Sequence, residues 1–154
     1  SSQVTYDGTV HALTASTPDQ LLYMPGFATL GYGIPAALGA KVADVDRPVA
    51  CILGDGAAMF SVQELMTATE LGLGIPFVIV DNGGYAEIEG QMVERDMEPF
   101  AVRLARPDFA KLGESMGGAG VTIAEADIDD ALPGAVAEAL ERRVPTAIHI
   151  TVGR

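Results

Sequence analysis

Three short stretches of the chain are apolar almost from end to end: "PVACILGD" at 48–55, "IPFVIVDNGG" at 75–84 and "PTAIHITV" at 145–152. A strand with one wet face alternates apolar with polar residues, whereas a strand buried on both faces has no need to. Segments of helical character lie between these runs. "MFSVQELMTATELGL" spaces Phe60, Val62, Leu65, Met66, Thr69 and Leu73 near the helical period and stops at Gly72 and Gly74. "ALPGAVAEALERR" precedes the last run, and "GYGIPAALGAKVA" precedes the first, entered through glycines with Pro35 in its opening turn, where a missing N–H costs nothing. Such an order predicts an α/β fold: a doubly wound, mostly parallel sheet with helices on both faces. At 154 residues the chain is read as one domain, 1–154. Between Tyr85 and Phe109 the pattern is polar and irregular, with a short helix expected from "AEIEGQM"; a segment of that kind in a compact domain is more often functional than idle.

Charge and composition remove several classes of function. The net charge is −12 with nine Lys and Arg scattered along the chain, which argues against nucleic acid, because neutralising phosphates takes clustered basic groups. An anionic partner would have to be held by backbone dipoles or through a bound cation. The acidic stretches "VERDMEP" and "AEADIDDA" read as solvated surface. The hydrophobic fraction is 49%, but 18 Gly and 9 Pro interrupt every apolar run well short of a bilayer's width, so no membrane span is expected. The opening residues lack the features of a signal peptide, and the single Cys51 suits a reducing cytoplasm. With no initiator Met, the chain is expected to be a fragment of a longer polypeptide, the alternative being the small subunit of a split enzyme.

Two of the apolar runs end in glycine turns that carry polar side chains, "GDG" at 54–56 and "DNGGY" at 81–85. Open parallel sheets bind ligands beyond the carboxyl ends of their strands, so these turns are expected to converge at one sheet edge. An Asp oxygen and an Asn carbonyl are hard ligands suited to Mg²⁺ or Ca²⁺, and glycines let backbone N–H groups approach phosphate. An acidic protein can thus hold a diphosphate if a divalent cation stands between. Asp55 also has a structural reading as a helix cap, and Asn82 as an ordinary turn residue. A rival functional reading exists. "GYGIPA" fits a dinucleotide fingerprint at Gly31, Gly33 and Ala36, with Asp55 a little over twenty residues on as a ribose-binding acid; this would make the chain a nicotinamide-binding (NAD) domain of an oxidoreductase. Pro25 and Gly26 break the strand that should feed it, and the fingerprint leaves "DNGGY" unexplained.

"GDG" followed after about two dozen residues by "DNGGY" resembles the thiamine diphosphate motif. "GFATLGYGIPAALGAKVA" is similar to the stretch preceding it in acetolactate synthases and 2-oxo acid decarboxylases, and the likeness spans nearly the whole chain. The resemblance implies the diphosphate-binding type of domain, with thiamine diphosphate and Mg²⁺ as cofactors. Asp55 and Asn82 would ligate the metal through side chains and Gly84 through its main-chain oxygen. Gly56 and Ala57 would offer N–H groups to the diphosphate, with Ser2 and Gln3 touching it from the other side and Tyr85 closing the motif. Leu30 matches the apolar prop that bends the cofactor, and the Ala28 carbonyl would accept from its aminopyrimidine.

Two positions depart from the pattern. Asp81 stands where the first of two asparagines is usual, and Ala86 where Gly is usual. The family's activating glutamate sits on a separate pyrimidine-binding domain of the same or another subunit, so this chain is expected to hold no catalytic residue of its own; Glu64, a helix residue in the pattern, is not that group. The resemblance further implies a 2-oxo acid substrate, a decarboxylation ending in an aldehyde or in transfer to an acceptor, and a homodimeric or tetrameric full-length enzyme. Glu87, Ile88 and Gln91 are the substrate-contact candidates, with Glu87 able to pair with a cationic substrate group; the alternative reading is a solvated acidic helix face.

Overall fold

The computed structural model describes residues 8, 10–24 and 26–153. The elements run α1 (Val10–Ala12), α2 (Gly33–Ala43), β1 (Cys51–Gly54), α3 (Asp55–Ala58), α4 (Glu64–Glu70), β2 (Pro76–Asp81), α5 (Ala86–Glu94), α6 (Phe109–Ser115), β3 (Ala119–Ala124), a 3₁₀ turn (Glu125–Asp127), α7 (Ile128–Glu141) and β4 (Thr146–Thr151). The four strands form one sheet in the order β1-β2-β4-β3, every pair parallel, as the continuous apolar runs require.

Side chains alternate across the sheet with period two, and each face has its own core. On one face Cys51, Leu53, Phe77, Ile79 and Ala147 pack with Ile34 and Leu38 of α2, Leu65 and Ala68 of α4, and Phe109 of α6. On the other, Val78, Ile123, Ile148 and Ile150 pack beneath Ile128, Leu132, Ala135 and Val136 of α7. The doubly wound expectation is met, with uneven cover. Three helices, α2, α4 and α6, shield the first face, whereas α7 shields the second only over β2, β4 and β3, which leaves Ile52 of β1 40% exposed.

Three readings change in detail. The helix expected from Met59 begins only at Glu64, because residues 59–63 form turns; Phe60 and Met66, assigned to its apolar face, are exposed. The helix expected from Ala131 begins earlier, at Ile128. Pro133 therefore lies inside it, at an exposed position, and leaves the carbonyl of the exposed Asp129 without its helical donor. The interval from Phe109 to Ala124, assigned no elements from sequence, holds both α6 and the edge strand β3. These two meet at glycines: a Cβ on Gly120 would come 2.3 Å from the Ala110 carbonyl oxygen, and one on Gly113 would come 2.7 Å from Ala147 Cβ. The close approach seats Phe109 fully buried against β4.

Candidate functional site

Strand register decides whether the two glycine turns meet. Gly54 pairs with Val80, so Asp55 and Asp81 follow side by side at the carboxyl edge of adjacent parallel strands. The turns then touch directly. The N–H groups of Gly56 and Gly84, one from each turn, act on the Asp55 carboxylate and favour its ionised form. The Tyr85 ring of the second turn lies against Gly56 of the first, where a Cβ would come 2.6 Å from ring carbon Cε1. Only glycine fits Gly84 as well: its φ is +136°, and a Cβ would come 2.2 Å from the Val102 oxygen. That contact comes from the polar segment after α5, which lies along the turn: Tyr85 N donates to Val102 O at 2.8 Å and Leu104 N to Gly83 O at 3.0 Å. The irregular stretch is thus a brace for the second turn.

Asp55 is 4% exposed, and its Oδ1 has no hydrogen-bond partner. Burial pushes its pKa up, the neighbouring Asp81 adds to the effect, and the N–H groups of Gly56 and Gly84 oppose it. A buried carboxylate with an unused oxygen, beside a second acid, is the electrostatic setting in which a hard cation is stabilised. Asn82, 9% exposed, follows Asp81 in the same turn, so the donor set is all oxygen. Among the described residues no group of three His, Cys, Asp or Glu side chains could hold a metal, so a cation here would draw on amide, main-chain and ligand oxygens.

The other candidates fall into three places. Gly56, expected to serve phosphate with its N–H, stands beside Asp55 at the start of α3; there Asp55 is the first helical residue rather than the cap, and Gly54 is the cap. Leu30 is half-buried and lines a cavity of about 700 Å³ with Met24, Gly31, Phe60 and Ser61. Ala28 adopts φ +48°, a left-handed conformation that a residue with a Cβ rarely takes. Glu87 lies in the first turn of α5, where its Oε1 accepts from Gln91 Nε2 at 3.2 Å and its Oε2 is shielded from solvent with no hydrogen-bond partner; Ile88 is 49% exposed. Ser2 and Gln3 lie outside the described residues. Sequence reasoning passed over Ser61, whose buried hydroxyl lacks a partner beside the cavity, and His149, which approaches Asp81 from β4. Both oxygens of Asp81 are engaged: its Oδ1 accepts from Gly83 N at 2.9 Å, and its Oδ2 lies 3.0 Å from His149 Nε2.

Residues 4–150 match the family described as thiamine pyrophosphate enzyme, C-terminal TPP binding domain. The chain belongs to this family. Among similar proteins, a probable 2-ketoarginine decarboxylase of Pseudomonas aeruginosa is 38% identical over 118 residues, 75% of this chain and 21% of that protein. The acetolactate synthase large subunit of Parasynechococcus marenigrum is 36% identical over 132 residues, 84% of this chain and 21% of that one. A solved thiamine diphosphate-dependent 4-hydroxybenzoylformate decarboxylase of Rhodococcus jostii superposes with a TM-score of 0.74 at 30% identity, over 85% of this chain and 24% of that structure. The chain therefore spans about a fifth of the length of the curated relatives it matches. This thiamine diphosphate-binding domain is of the acetolactate synthase and 2-oxo acid decarboxylase type, and the nicotinamide alternative falls. Among the described residues no strand leads into Gly31, as a dinucleotide fingerprint requires. Also among them, no helix is long and apolar enough to cross a membrane.

Proposed function

We propose that this chain supplies the magnesium and diphosphate half of a thiamine diphosphate site, completed by a pyrimidine-binding domain, in an enzyme that decarboxylates a 2-oxo acid. The observation that carries this is the meeting of the two turns, with a buried Asp55 oxygen left unpaired between them. Asp55, Asn82 and the Gly84 carbonyl would hold the metal. Gly56 and Ala57 in the first turn of α3 would present their N–H groups to phosphate. Leu30 would support the cofactor's bend from the cavity wall, and the left-handed Ala28 would aim its carbonyl at the aminopyrimidine. When bound, the cofactor supplies an electron sink for the carbanion left by loss of carbon dioxide. The chain's own part is orientation and the exclusion of water.

Calorimetry of this chain together with a pyrimidine-binding domain tests the reading. Thiamine diphosphate binding should require Mg²⁺ and should weaken at least about 10-fold in Asp55→Ala and in Asn82→Ala, since each change removes a charged or strongly polar contact. Equal binding with and without the metal would contradict it.

A narrower reading concerns the substrate. Glu87 keeps a shielded, unpaired oxygen on the helix that leaves the metal turn, and one relative is described as a probable 2-ketoarginine decarboxylase. Both support a 2-oxo acid with a cationic far end, held by Glu87 with Gln91 fixing its rotamer. Glu87→Gln in the active assembly should lower kcat/KM for a guanidino-bearing oxo acid about 10- to 100-fold and leave a neutral one unchanged. Equal effects on both would remove Glu87 from substrate recognition.

A further inference from the structure

Asp81 is one of the two positions that depart from the motif the sequence resembles, and the structure surrounds it with partners drawn from three separate parts of the chain. Its side chain is fully buried. Oδ1 accepts the Gly83 N–H at 2.9 Å, so the carboxylate closes a turn across its own next two residues. Oδ2 lies 3.0 Å from His149 Nε2, and a carboxylate accepts only, so Nε2 carries the proton of that bond. Arg106 Nε stands 3.4 Å from Oδ1, and its guanidinium also donates to Val152 O at 3.3 Å. The Asp81 carbonyl takes the Val152 N–H at 2.9 Å.

His149 can make this contact because of register. It pairs with Ile79 in the parallel ladder, so it stands on the same face as Asp81, one pleat earlier. Its ring is held edge-on to Phe109 of α6, with centroids 5.4 Å apart at 81°. The packing leaves the imidazole little freedom to turn, and Asp81 Oδ2 is the acceptor it meets.

We propose that His149 and Arg106 are positioning residues for the cofactor metal: by fixing the Asp81 carboxylate, they fix the turn that presents Asn82 and the Gly84 carbonyl toward Asp55. The inference rests on the proposed magnesium site and concerns how that site is built. An asparagine at 81 could close the same turn, but a carboxylate gathers stronger hydrogen bonds from a ring N–H and a guanidinium. Both Asp81 oxygens already have partners, which leaves Asp55, with its unpartnered Oδ1, as the acid available to a cation. Neither positioning residue would touch the metal, the cofactor or the substrate.

The test measures binding as well as turnover, in the chain assembled with a pyrimidine-binding domain. His149→Leu removes the ring N–H and His149→Gln returns an amide N–H at similar reach. Arg106→Met, at a half-exposed site, removes the guanidinium with little risk to folding. The readouts are magnesium-dependent thiamine diphosphate affinity by calorimetry, and the far-ultraviolet circular dichroism and melting temperature of the metal-free protein. Affinity should fall about 10- to 100-fold in His149→Leu, recover to within about 3-fold of wild type in His149→Gln, and fall several-fold in Arg106→Met, with the circular dichroism unchanged. Wild-type affinity in both His149→Leu and Arg106→Met overturns the inference, as does a loss in His149→Gln equal to that in His149→Leu. If His149→Leu does not fold, His149→Gln and Arg106→Met decide by the same criteria. A wild-type protein that binds no thiamine diphosphate with Mg²⁺ overturns the underlying site as well, which separates the two failures.

Discussion

Asp55 sits under opposed influences: burial and the Asp81 charge disfavour its ionised form, while two backbone N–H groups favour it, and the first pair prevails. A carboxyl whose folded pKa lies above the ordinary 3.8 binds its proton more tightly in the folded than in the unfolded chain. The stability it contributes is present at low pH and is lost as pH rises from 3.8 through the raised value. At neutral pH the metal-free protein therefore carries a cost that a cation would relieve. Asp55→Asn should make the metal-free chain more stable by about 0.5–2 kcal/mol at pH 7 while weakening metal binding, the trade expected where a site is built for function rather than stability. Urea unfolding at pH 4 and pH 7 checks this. The mutant's advantage should grow with pH, and an advantage that stays constant or shrinks would contradict the assignment.

At the level of elements, α6 places the partners of the second turn, and its start is defined by a side-chain cap. Asp108 Oδ1 accepts the Lys111 N–H at 3.0 Å, and the Lys111 ammonium holds that carboxyl below its usual pKa. Asp108→Ala should lower stability in chemical denaturation, and no change would show that packing at Phe109 and Gly113 alone sets the start of the helix. This element was also the least legible in sequence, for a physical reason. Gly113 interrupts the helical pattern of "FAKLGES", and Gly120 with Thr122 dilutes the apolar content of "AGVTIA", because helix and edge strand approach through those glycines. In β2 and β4, by contrast, burial on both faces wrote itself into largely apolar runs that could be read directly, and β1 carries the same pattern although its second face is partly open. The helix after α3 starts late because the turns at 59–63 leave Met59 and Phe60 exposed; an apolar period cannot by itself tell a buried face from one that is exposed in this chain.

In the molecule as a whole, the parallel sheet brings two turns from distant parts of the sequence to one edge, and that convergence is the central claim. The turns themselves were visible as glycine-flanked polar residues closing apolar runs, and register then put Asp55 beside Asp81. What sequence did not show is the support behind them. Asp81 and His149 are 68 residues apart, and nothing in local pattern links a histidine in the last strand to a turn after the second. The brace from Val102 to Leu104 was hidden in the same way, inside a stretch without period. The most direct measurement is a crystal of the chain, with its pyrimidine-binding domain, thiamine diphosphate and Mn²⁺ in place of Mg²⁺, examined for anomalous scattering. The account predicts one peak within about 2.0–2.3 Å of an Asp55 oxygen, the Asn82 side-chain oxygen and the Gly84 carbonyl. A peak bound elsewhere, or cofactor held with no metal between the two turns, would contradict it.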